Sequence, residues 1–142
     1  MQSSTYRGEG GGVAAASERD RVLVVDDDEA IREAVRDLLE DDGYEVTTAA
    51  NGVEALEVLR DAPAPTAVLV DMMMPIMDGW QLLQELKAEP ELSKIPVIAM
   101  SAGGTRTLAT APVCKDYLPK PLKVSRLLEA IARCRHPPPL AA

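Results

Sequence analysis

The sequence predicts an α/β fold in one domain: a doubly wound parallel sheet with helices on both faces. Three observations carry this. Strand and helix signals alternate five times along the chain, at roughly 20–25-residue spacing, the rhythm of βαβ units. The strand signals are short continuous apolar runs such as AVLV, which suit strands covered on both sides. The helical segments each carry a single apolar stripe, enough to cover a sheet face on one side and meet water on the other. Right-handed crossovers then place helices on both faces.

Each element has its own justification. RVLVVD is the first apolar run, and EAIREAVRDLLEDDG follows with Ile31, Val35, Leu38 and Leu39 on one stripe and Gly43 as a C-terminal stop. YEVTTA predicts the second strand, and NGVEALEVLRD a helix with Val53, Leu56 and Leu59 inward. TAVLVD is the third strand, and DGWQLLQELKAE a helix carrying Leu82, Leu83 and Leu86. IPVIAMS is the fourth apolar run, while AGGTRTLATAPVCK after it is ambiguous. DYLPKP predicts a short fifth strand, and KVSRLLEAIARC a last helix with Val124, Leu127, Leu128 and Ile131 on one face. Outside these elements, residues 1–20 are rich in Gly, Ser and Ala and predict a disordered arm. Residues 21–135 form the domain. Residues 136–142 form a short tail, because the three prolines of RHPPPLAA cannot continue a helix.

Composition narrows the function. Hydrophobic residues make up 46% of the 142-residue chain but aromatics only 3%, with no Phe, so the core is built from Val, Leu, Ile, Ala and Met. The net charge of −8 disfavours direct nucleic-acid binding, which needs clustered Lys and Arg, and equally disfavours anionic membrane surfaces. It suits a protein that attracts cations or partners with basic faces. Cys114 and Cys134 show neither metal-ligand spacing nor a CxxC pattern and are expected to be free thiols. With no apolar stretch long enough to span a bilayer and no signal-peptide pattern, the expected location is the cytoplasm. His136, the only histidine, lies in the tail and is not expected to be catalytic.

In an open parallel sheet, ligands bind outside the carboxyl ends of the strands. The first strand ends in Asp26-Asp27, the third in Asp71, the fourth in Ser101 and the fifth in Lys120. Each has a bland reading alone. One of Asp26, Asp27 and Asp28 suits a helix N-cap, Asp71 and Ser101 suit turns, and Lys120 suits a solvated surface. Their joint arrival at one edge is what the bland readings leave unexplained. Converging carboxylates repel one another, and a hard divalent cation relieves this. Aspartate and carbonyl oxygens suit Mg²⁺, and without a neighbouring His or Cys the site does not suit zinc. A lysine and a hydroxyl beside such a metal supply donors for an anion, which points to a phosphoryl group transferred to a carboxylate.

VLVVDDD, VDMMMPIMDG, IPVIAMSA and DYLPKP, in this order, resemble the receiver domain of bacterial two-component response regulators; the resemblance covers roughly residues 20–134. It implies a five-stranded sheet of order 2-1-3-4-5 and makes Asp71 the phospho-acceptor. It implies that Asp26 and Asp27, with Asp27 the more direct ligand, hold Mg²⁺ together with Asp71 and the Met73 backbone carbonyl. Ser101 and Lys120 would each bond a phosphoryl oxygen, and Ser101 and Tyr117 would be the switch pair. Ala102 would leave the phosphoryl group room, Pro75 and Gly79 would shape the loop after the acceptor, and Lys120-Pro121 would be a cis bond.

This sequence also departs from the family. The stretch between Ser101 and Tyr117 is about one helical turn short and contains Gly103, Gly104 and Pro112, so the helix expected there, the fourth, is short or distorted. Pro119 is tolerable because the fifth strand is expected at a sheet edge. Met73 puts an apolar side chain where polar ones help position attacking water, so a long-lived acyl phosphate is expected. Trp80 and the methionines of residues 72–77 suit packing.

The expected function is therefore that of a stand-alone receiver. It would take its phosphoryl group from a sensor histidine kinase or a histidine phosphotransfer protein, and signal to a downstream protein target by docking or by relay. It would not be an enzyme beyond its own phosphorylation and dephosphorylation. Two other readings remain: a degenerate receiver serving as a scaffold, and a Mg²⁺-dependent phosphatase of the haloacid-dehalogenase type using Asp26 as nucleophile in a D-x-D pattern.

Overall fold

The computed structural model describes residues 20–61, 63–74, 76–101 and 114–135. The elements are β1 (Arg21–Val25), α1 (Glu29–Asp41), β2 (Glu45–Ala49), α2 (Gly52–Asp61), β3 (Ala67–Asp71), α3 (Gly79–Ala88), β4 (Val97–Ser101), β5 (Cys114–Pro119) and α4 (Val124–Ala132). The strands form one sheet of order β2-β1-β3-β4-β5, parallel at every pairing. Every residue of β3 and β4 is buried, as their continuous apolar character requires. Edge strand β2 alternates exposed and covered positions.

The side-chain period of two splits the sheet into two cores. Leu23, Val25, Val68, Val70, Val97 and Ala99 face α2 and α3, meeting Leu56, Leu59, Leu82, Leu83 and Leu86. Val22, Val24, Leu69, Ile98 and Met100 face the other way, toward Val35 and Leu39 of α1 and Leu127 and Ile131 of α4. Helices thus cover both faces of the sheet.

The ends of α1 show why its sequence stops where it does. Asp28 is the N-cap, its carboxylate accepting from the Ala30 and Ile31 amides. At the other end Gly43 takes φ +96°. Its amide donates to the Glu40 carbonyl and that of Tyr44 to the Leu39 carbonyl. This is the paired-bond ending that glycine permits, and Tyr44 and Leu39 pack in the same core. At α3, Asp78 and Gln81 bond each other's main chain reciprocally as a capping box.

Two inward positions expected from the stripes are corrected. Val53 is 41% exposed and Val124 46%. The buried face of α2 runs through Gly52, Ala55, Leu56 and Leu59. At about 100° per residue, Val53 is turned away from that face. Val124 is the first helical residue of α4 and precedes the turn that reaches the sheet. The fifth strand also begins two residues earlier than DYLPKP. A register shift pairs Val97 with Cys114 and Ile98 with Asp116, leaving Lys115 as the extra residue. Pro119 pairs with Ser101 on the outer strand, where its missing N–H costs no ladder bond. The arm, the tail, the expected short helix with Ala102, Gly103, Gly104 and Pro112, and Pro75 lie outside the described residues.

Candidate functional site

The carboxyl ends of β1, β3, β4 and β5 bring the polar residues of the sequence to one edge of the sheet. The register sets Val25 beside Val70 and Asp71 beside Met100. Asp26, Asp71 and Ser101 are the buried acidic and hydroxyl residues among the described ones, Asp26 completely so. Lys120 follows β5, its amide donating to the Ser101 carbonyl at 2.9 Å. Its ammonium reaches Asp71 Oδ2 at 3.1 Å and Asp26 Oδ2 at 3.2 Å, so one cation bridges two buried carboxylates.

Each aspartate is held differently. Asp26 is completely buried. Its amide donates to Ala49 O at 3.1 Å, its Oδ1 accepts from the Asp28 amide at 2.9 Å, and its main-chain oxygen accepts from Arg32 Nη1 at 2.7 Å. Asp71 Oδ1 accepts from the Met73 amide at 3.0 Å. Asp27 is exposed, and among the described residues its carboxylate has no hydrogen-bond partner. The three carboxylates each place an oxygen within 4.8 Å of the others. Three hard oxygen donors converging on one point, one of them unpartnered, fit a divalent cation such as Mg²⁺.

The loop after Asp71 is shaped by close packing. A Cβ on Gly79 would stand 2.7 Å from Met72 Cα and 2.6 Å from its sulfur, so only glycine lets α3 start against the loop. The methionines divide: Met72 and Met74 are buried and Met77 partly so, but Met73 is 70% exposed, which corrects the reading of the whole cluster as packing. Trp80 is partly buried against the core of α2 and α3, as is Tyr117, the expected switch residue. Lys120–Pro121 is cis. The buried Cys134 thiol donates to the Ala130 carbonyl at 3.4 Å.

Burial pushes the Asp26 carboxyl above its usual range; the Asp28 amide works against this, Asp71 adds to it, and Lys120 opposes it. For Lys120, burial acts downward, but the hydrogen bond to Asp71 and the charges of Asp26 and Asp71 outweigh it and raise the pKa. The sign for Asp26 is that of a group whose charged form is disfavoured by folding. Its cost to stability is full at neutral pH and vanishes as the pH falls below the ordinary aspartate range. Asp26→Asn is therefore expected to stabilise the metal-free protein at pH 7. The gain should shrink toward zero at acid pH, as read by urea denaturation across pH.

Asp28, the cap among the three adjacent aspartates, and Arg32 were not separable from the sequence. Asp26, Asp27 and Asp28 are chemically identical, and the partner of Arg32 is a main-chain carbonyl that no sequence pattern marks.

Residues 22–132 match the family described as the response regulator receiver domain, and the chain belongs to it. Among curated relatives, response regulator MprA of Mycobacterium sp. (strain KMS) is 38% identical over 111 residues, covering 76% of this chain and 47% of the relative. The same regulator from Mycobacterium leprae is 39% identical over 115 residues, covering 78% and 49%. The chain thus spans about half the length of the curated relatives it matches. Among solved structures, the chemotaxis response regulator CheY4 of Vibrio cholerae aligns with a TM-score of 0.75 at 29% identity, over 82% of this chain and 99% of that one. TrrA of Thermotoga maritima, solved in complex with Mg²⁺ and BeF, aligns at 0.73 and 28% identity, over 82% and 99%. Receiver domains are signalling modules, and the fold, strand order and resemblance read from the sequence stand. Among the described residues, no helix is long and apolar enough to cross a membrane.

Proposed function

We propose that this chain accepts a phosphoryl group on Asp71 and signals through contacts made by the phosphorylated domain. The observation that carries the reading is the position of Lys120, bridging Asp71 and Asp26 at one end of the sheet while a third carboxylate, Asp27, stands beside them unpartnered. An Asp71 oxygen attacks phosphorus and forms the new P–O bond. The P–N bond to a donor imidazole breaks, and its electron pair stays on the departing nitrogen. The donor is a phosphohistidine on a sensor kinase or a phosphotransfer protein.

Asp26, Asp27, Asp71 and the Met73 carbonyl would hold Mg²⁺, which when bound neutralises charge on the phosphoryl oxygens. Forming the acyl phosphate takes the negative charge off the Asp71 carboxyl and leaves it on the phosphoryl oxygens; Lys120 then turns from the carboxylate to one of these, with the buried Ser101 hydroxyl bonding another. Ser101 and Tyr117 relay that change as the switch pair. The exposed Met73 offers no polar group to orient a hydrolytic water, which favours an acyl phosphate that outlasts seconds. The phosphorylated surface then docks on a protein target or passes the group along a relay, and the acidic charge favours partners with basic faces. The domain spans residues 21–135 and works in the cytoplasm.

Intact mass spectrometry after incubation with acetyl phosphate tests this. One phosphoryl increment is expected with Mg²⁺ and none with excess chelator. An increment that forms equally in chelator removes the metal from the reading, and loss of the label within seconds removes the long-lived intermediate.

A further inference from the structure

We infer that Arg32 is a positioning residue of the acidic site, acting through the peptide that joins Asp26 to Asp27; this rests on the cation-binding reading of that site. The four polar groups of Asp26 are all tied down: the amide to β2, one carboxylate oxygen to the Asp28 amide, the other to Lys120, and the carbonyl to Arg32. The first three fix the strand end and the Asp26 side chain. The fourth is the bond made by the carbonyl of the Asp26–Asp27 peptide itself; with the Asp28 amide it holds that peptide and the direction in which Asp27 leaves the strand.

That matters because Asp27 has nothing else. Its carboxylate is exposed and makes no hydrogen bond among the described residues, yet it offers an oxygen within 4.8 Å of two other carboxylates. Repulsion from Asp26 and Asp71 favours swinging it outward. A held peptide plane resists that swing before any cation arrives.

Arg32 is chemically suited to this. Its guanidinium lies among Asp26, Asp27, Asp28, Glu29 and Glu33 in sequence. Even so, among the described residues its only hydrogen bond goes to the Asp26 main-chain oxygen, at 2.7 Å, and it makes no ion pair. It is half-buried, which limits competition from water for that carbonyl. A charge-assisted bond to a main-chain oxygen is the kind of outer contact that orients a ligand without touching the metal.

The sign of one measurement separates this role from its rivals. A cation acting only by its charge beside a metal site repels the metal, so removing it tightens binding. A purely structural residue lowers the melting temperature and leaves affinity alone. A positioning residue weakens binding when lost. Titrating Mg²⁺ into the full chain, followed by isothermal titration calorimetry, is expected to show Arg32→Met binding about tenfold more weakly than wild type. Arg32→Gln, whose shorter stem cannot span the same bond, is expected to shift in the same direction and serves if the Met variant does not fold. In an Asp27→Asn background the Arg32 substitution should change affinity less than about twofold, because the group it positions is gone. Unchanged or tighter Mg²⁺ binding in the Arg32 variants, or an undiminished effect beside Asp27→Asn, overturns the inference. Wild type that shows no saturable Mg²⁺ binding overturns the cation-site reading itself.

Discussion

Asp71→Asn is expected to abolish phosphoryl uptake. The amide nitrogen and oxygen occupy the same space, and the bond from the Met73 amide to the side-chain oxygen is retained, so the domain should fold as before. The amide oxygen, however, is a far weaker nucleophile than a carboxylate held next to a lysine. Removal of a nucleophile acts on the scale of a thousandfold or more, about the limit of detection in a mass assay. Intact mass spectrometry with acetyl phosphate and Mg²⁺ should therefore show one increment on wild type and none on the variant. An increment that persists in Asp71→Asn and vanishes in Asp26→Asn would instead assign the nucleophile to Asp26, as a haloacid-dehalogenase-type phosphatase requires. No increment on either protein would leave a scaffold.

Lys120→Met is expected to damage both stability and chemistry, and the two losses have one cause. Lys120 is the only cation bonded to the side-chain carboxylates of Asp26 and Asp71 among the described residues. Methionine keeps the stem and removes the charge, leaving two buried carboxylates facing each other. Breaking a fully buried pair costs about 3–5 kcal/mol; the Lys120 side chain keeps 20% exposure, so a loss of about 2 kcal/mol in metal-free buffer is the expected result. Urea denaturation reads it. Mg²⁺ should return part of that loss by supplying the missing positive charge, which links the melting temperature of the variant to metal concentration more steeply than that of wild type. A variant as stable as wild type without metal would show that water, rather than Lys120, carries the compensation. Phosphoryl uptake should fall as well, since a group proposed to neutralise the phosphoryl oxygens is gone.

The opposite sign expected for Asp26→Asn follows from the same arrangement. Removing the cation leaves the repulsion exposed, while removing one anion relieves it. A site that is destabilising on its own and stabilised by its ligand is what a switch needs, because the bound and free states then differ in free energy.

Much of this was legible in the chain. Asp71 stands out because a strand buried on both faces has no local reason to end in a charge, and Lys120 stands out because it closes the last strand. The departures are equally specific. Val53 lies on a helix whose apolar residues permit two stripes, and only packing against the sheet selects the one through Ala55 and Leu56. Met73 is chemically equivalent to Met72 and Met74, so composition cannot say that it alone of the three faces water.

What the sequence by itself determined is the order of strands and helices, the burial of the central strands, and the set of residues delivered to the carboxyl edge. These depend on periods of two and 3.6 residues, and so on neighbours within one segment. Only the tertiary structure decided which aspartate caps α1, which carboxylates share Lys120, and which peptide Arg32 holds. Lys120 stands 94 residues from Asp26 and 49 from Asp71 in the chain. Bonds of that span exist only once strand order and register have set the ends of β1, β3 and β5 at the same edge, and no local pattern encodes them.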